Sequence, residues 1–154
     1  MDPQDIPTAP DFDAVRARRQ SLRAAMGAFE AALAAPAVGR ISEWTRGLVV
    51  ALQQLDTRLK EHVAATEGPD GFHSQMVTAS PRLFHEVTVL VADHQSAAEL
   101  LDQLRRDTND ARTEGHVSGI REQGTRMLAL LAKHRQRGAD LIYEAYQRDL
   151  GGGE

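Results

Sequence analysis

Three of the six histidines in this 154-residue chain, His62, His94 and His134, stand where a helix heading for a core should carry an apolar side chain. A neutral imidazole nitrogen is a good ligand for first-row metals, and clustered imidazoles between helices are a common way to build a metal site. A buried histidine is also often a structural residue, hydrogen-bonded to a neighbour. The sequence therefore supports two readings, a metal pocket or a buried polar cluster. Three imidazoles suffice for one ion with an open position, the usual catalytic zinc arrangement. The expected ion is a single iron or zinc, with Glu67 as a fourth candidate ligand. Glu67 and Asp93 are also the carboxylates available to orient the rings. His73, His85 and His116 read as peripheral; His85 lies nine residues before His94, nearly on the opposite face.

Both readings require the three rings to share one height. If the chain reverses near residue 78, His62 and His94 are each 16 residues from the reversal. If it reverses again near residue 114, His94 and His134 are each 20 residues from that point. At about 1.5 Å per residue the three then lie in one layer. This requires the second helix to continue past Pro69; stopping it at Glu67 predicts an offset of roughly 10 Å for His62.

The elements that must carry these residues are helices. Residues 1–10, with three prolines, read as a disordered or extended lead-in. A first apolar stripe runs through Phe12, Val15, Leu22, Met26, Phe29 and Leu33, with Arg19 in its gap, and ends at Ala35-Pro36 and Gly39. The second runs through Ile41, Trp44, Leu48, Leu52, Leu55 and Leu59 to His62. Gly68-Pro69 predicts a kink or a break, with the stripe resuming at Phe72, Met76 and Val77 in the same direction. Ser80-Pro81 predicts a helix start. The third stripe is Leu83, Val87, Leu90, His94, Ala97, Leu101 and Leu104, followed by a polar, glycine-containing connection over 108–119. The fourth is Ile120, Gly124, Met127, Leu131, His134, Gly138, Leu141 and Ala145, closed by a glycine-rich tail over 151–154. The expectation is an all-α, up-down-up-down four-helix bundle over 11–150.

Composition narrows the chemistry. The chain has no cysteine, so disulfides, thiolate metal sites and cysteine nucleophiles are excluded. Net charge is −4 with scattered basic residues, which argues against a nucleic-acid partner. No apolar run approaches the length of a membrane span, and Met1 to Pro10 lacks a signal pattern, so a cytoplasmic, membrane-free protein is expected. A Gly-x-Ser-x-Gly elbow, a phosphate-cradling loop and the paired glutamate motifs of ferritin-like di-iron proteins are all missing. Enzymatic turnover is supported by no feature. A protein partner or a homo-oligomer is compatible with the sequence.

The histidine segments resemble the hemerythrin-like (HHE) cation-binding domain family over roughly residues 12–150. Leu59-Lys60-Glu61-His62 with Thr66-Glu67 is similar to the family's second-helix motif. Asp93-His94 followed by Leu100-Leu101 is similar to its third-helix pattern, and Lys133-His134 with Asp140 and Glu144 to its fourth. The resemblance implies a hemerythrin-like fold and a role in binding dioxygen or in sensing or detoxifying oxidants. Family members with full motifs hold two irons on five histidines and two bridging carboxylates.

This chain departs from that pattern. The first helix has no histidine and offers Asp13, Arg16 and Arg19; Leu90 replaces a histidine one turn before His94. Thr66 and Ala139 stand where carboxylates are expected, with Glu67 and Asp140 one step late, a rotation of about 100°. A complete di-iron centre is not expected. What is expected is one metal ion serving oxygen, redox or metal sensing, or else a metal-free scaffold or partner-binding module that has lost its site. Arg19 in the core stripe either neutralises a buried carboxylate or marks a pocket that prefers anions.

Overall fold

A computed structural model describes residues 11–148. The extended lead-in expected over 1–10 and the tail over 151–154 lie outside the described residues. Every regular element among the described residues is helical. Helix α1 spans Phe12–Ala34, α2 Ile41–Glu67, the short α3 Phe72–Ala79, α4 Phe84–Asp110 and α5 Glu114–Ile142. A π-helical segment, Tyr143–Arg148, extends α5.

Local sequence explains where these helices start and stop. The Asp11 carboxylate accepts from the Ala14 amide at 3.0 Å, capping α1. Arg121, reaching across from α5, donates to the carbonyls of Leu33 (3.0 Å) and Ala35 (2.7 Å) and closes its other end. Gly39 turns the chain into α2 with a positive φ of 71°. Ser80-Pro81 marks a boundary as expected, with a 3₁₀ turn over Pro81–Leu83 leading into α4.

Of the kink or break expected at Gly68-Pro69, the structure shows a break: α2 ends at Glu67 and α3 is a separate element. Gly68 is extended, as a residue before proline prefers. A Cβ on Gly71 would lie 2.5 Å from the Thr66 carbonyl oxygen, so the loop folds back tightly. The connection expected over 108–119 shrinks to residues 111–113. Thr113 accepts from the His116 amide at 3.2 Å, and the His116 ring accepts in return from the Thr113 amide at 3.3 Å. This is a capping box with histidine in the place of glutamate, which starts α5 early.

The four long helices pack α1 on α2, α2 on α4, α4 on α5 and α5 on α1. Their apolar stripes form two clusters. The larger contains Phe29, Leu48, Leu52, Leu55, Leu101, Leu104 and Met127. The smaller contains Phe72 and Met76 of α3 with Leu83, Val87, Leu90, Leu141 and Ala145. On α4 the stripe passes from Leu90 in the smaller cluster to Ala97 in the larger, with His94 between them. On α5 it passes from Leu131 in the larger to Leu141 in the smaller, with His134 between them. A polar layer separates two apolar ones. No described helix is long and apolar enough to cross a membrane.

Candidate metal centre

His62 on α2, His94 on α4 and His134 on α5 meet in that polar layer. One ligating nitrogen from each lies within 4.8 Å of the others, an arrangement that could hold a metal ion. His134 Nε2 is 3.2 Å from His62 Nε2 and 3.1 Å from His94 Nε2. The offset expected if α2 stopped at Glu67 does not occur. From His62 to the end of α2 the rise is about 7.5 Å, and from the start of α4 to His94 about 15 Å. The intervening residues 68–83, including α3, absorb the difference.

The opposite edges of two rings meet carboxylates. Glu67 Oε2 lies 2.6 Å from His94 Nδ1, and Asp93 Oδ2 lies 3.1 Å from His134 Nδ1. Arg137 in turn donates to both Asp93 oxygens, at 3.0 and 3.1 Å. An ionised carboxylate only accepts, so each Nδ1 carries the proton and each Nε2 presents a lone pair. Two lone pairs therefore face one another at 3.1 Å between His94 and His134. That contact is repulsive unless a cation or an extra proton sits against both.

The separations of His134 Nε2 from the other two Nε2 atoms suit a metal. Two nitrogens on a tetrahedral zinc, each bonded at 2.0–2.1 Å, stand about 3.3 Å apart. Glu67, proposed with the histidines as a ligand, approaches the cluster through His94 Nδ1, where a carboxylate orients the ring. Asp93 does the same for His134.

Burial disfavours the charged form of His62 and His134. It is the main cause that lowers His62 from 6.5 to about 3, aided by the neighbouring His94, His134, His73 and Arg19. His134 is lowered as well, chiefly by burial, with the Asp93 hydrogen bond acting in the opposite direction. Uncharged imidazoles are the ligating form.

The expectation that His73 is peripheral is overturned. Its side chain is buried and stacks on His94, with ring centroids 5.6 Å apart and planes 10° from parallel. His73 Nδ1 has no hydrogen-bond partner among the described residues. Burial, then His94 and His134, lowers its pKa to about 4. The signal was present in the sequence: His73 shares a helical face with Met76 and Val77, three and four residues on. His85 and His116 are exposed, as expected.

Other departures are explained by position. Thr66 is buried and returns its hydroxyl to the His62 carbonyl at 2.8 Å. Leu90 joins the smaller apolar cluster, and Asp140 is exposed, accepting from Gln136. Arg19 neutralises no buried carboxylate; it donates to the Arg135 carbonyl at 3.2 Å. Burial and the adjacent Arg135 lower its pKa. Comparison of the chain with family models, with curated proteins and with solved structures finds no match.

Proposed function

We propose that the chain is a hemerythrin-like, up-down-up-down four-helix bundle that holds a single metal ion, iron or zinc, on His62, His94 and His134. In this reading Glu67 and Asp93 orient the rings. The ion leaves one position open to a small ligand, and the protein serves in oxygen, redox or metal sensing in the cytoplasm. The observation that carries the reading is the pair of Nε2 lone pairs facing at 3.1 Å, each fixed by a carboxylate behind it. One metal ion satisfies both, together with His62. When bound, it supplies a Lewis-acidic centre for an exogenous ligand.

The chain's own residues contribute the rest. Arg137 holds Asp93 and so fixes the tautomer of His134. Burial favours the neutral form of His62 and His134. A second reading, a metal-free scaffold, is favoured by the same contact if one proton is shared between His94 and His134.

Metal analysis after growth with added iron or zinc tests the proposal. Near-stoichiometric metal, lost in His134→Ala, is expected. A metal-free protein whose stability ignores chelator would support the scaffold instead.

A further inference from the structure

The cavity beside the histidines has a chemistry of its own. It has a volume of about 50 Å³ and is lined by His62 and His134 together with Arg18, Arg19, Arg23 and Arg135. Among the described residues no aspartate or glutamate lines it. Elsewhere Arg40, Arg58, Arg105 and Arg137 pair with Glu43, Glu61, Asp56 and Asp93, while Arg46, Arg106, Arg112, Arg121 and Arg126 have no ion pair among the described residues. The four around the cavity have no ion pair among the described residues, although the chain carries a net charge of −4. The carboxylates near the site, Glu67 and Asp93, are engaged by the outer edges of His94 and His134.

An unpaired guanidinium beside a dication is repulsive unless something negative lies between them. Arg19, His62 and His134 line the same cavity. Among the described residues the only hydrogen bond of Arg19 goes to a backbone carbonyl, which leaves donors of the planar fork unused there. His73, whose Nδ1 is buried without a partner among the described residues, lines the same cavity. A buried polar atom with no partner costs free energy that a bound ligand can recover.

We infer that this cavity binds a small monoanion of the carboxylate or nitrite type, held between the open position of the metal and the Arg19 guanidinium. The inference rests on the metal reading above and names the ligand class of that site. Size follows from volume. A water needs about 10–15 Å³ of such space, so the cavity takes an anion of about three or four heavy atoms. The forked guanidinium matches two oxygens of a planar anion.

Cobalt(II) is the probe metal, because its visible bands respond to a change of ligand. Cobalt binding is measured first by dialysis. Formate and nitrite are then titrated, with neutral formamide as a control of similar size. A saturable band shift with either anion, and none with formamide, is expected. Arg19→Gln should weaken anion binding at least tenfold while binding cobalt no less tightly, since a nearby positive charge is removed. Gly138→Ala gives a second test that keeps α5 helical. Its Cβ would lie 2.9 Å from Arg19 Nη2 and displace the guanidinium, so anion binding should weaken here too. Cobalt uptake with no anion response overturns the anion site alone, as does undiminished anion affinity in both variants. Failure to take up cobalt overturns the metal reading and the anion site with it.

Discussion

His94 and His134 approach each other through Nε2 at 3.1 Å, while their Nδ1 atoms turn away to Glu67 and Asp93. The two contacts on each ring cannot be understood separately. The carboxylate at Nδ1 decides which nitrogen keeps the proton, and so decides that the inner edges present lone pairs. A cluster built only to be hydrogen-bonded would alternate donors and acceptors around the ring of contacts.

The outer carboxylates should therefore control metal affinity without being indispensable to the fold. Asp93→Asn and Glu67→Gln are each expected to weaken zinc or cobalt binding by about 10–100-fold, the usual effect of removing a partner behind a ligating histidine. Competition with a chromogenic chelator measures this. Equal affinity in both variants and the parent chain would show that the carboxylates do not set the tautomers.

The metal-free protein should lose stability as pH falls below neutrality, before most carboxylates titrate. His62 and His73 have pKa values depressed to about 3 and about 4, against 6.5 when unfolded. Above 6.5 both states hold neutral rings, so their full contribution is present. As pH drops through 6.5 the unfolded chain takes up protons that the folded chain refuses, and stability is lost down to the folded values. Urea midpoints of the metal-free chain should thus decline between pH 7 and 5. A flat profile there would mean that these rings are hydrated rather than buried.

Arg121 ties the end of α1 to α5, donating to the carbonyls of Leu33 and Ala35 and lying 5.6 Å over the Trp44 ring. Arg121→Ala should cost about 1–2 kcal/mol in urea unfolding, given charged hydrogen bonds at a half-buried position. A loss near zero would show that water satisfies those carbonyls equally well.

Much of this architecture was legible because helical periodicity is local. The stripes through Leu52, Leu101 and Met127 fix which face is buried, and His62, His94 and His134 are visible as interruptions of those stripes. What was not legible depends on contacts between segments. The end of α2 is set by how Gly71 passes the Thr66 carbonyl, and the start of α5 by a histidine acting as a cap. Whether Arg19 meets a carboxylate or a carbonyl depends on α5 across the cavity. His73 is an intermediate case: it shares a face with Met76 and Val77, but it sits on a short helix after a break, where the register of the preceding stripe does not carry over.

Glycines inside the helices give a test of the packing that is independent of any ligand. Gly27 in α1 and Gly47 in α2 have no atom within 4 Å of where a Cβ would stand. Alanine there relieves the entropy cost of glycine in a helix, so Gly27→Ala and Gly47→Ala should each stabilise by about 0.5–1 kcal/mol. Gly124 in α5 is different. A Cβ there would lie 2.5 Å from Leu33 Cδ2 and 3.1 Å from Phe29 Cζ, both buried in the larger apolar cluster. Overpacking costs typically 1–3 kcal/mol, which exceeds the propensity gain of about 1 kcal/mol. Gly124→Ala should therefore destabilise, opposite in sign to the other two. Denaturant midpoints of the three variants measure it directly. A stabilised Gly124→Ala would mean that α1 and α5 do not approach as closely as Phe29 and Gly124 require.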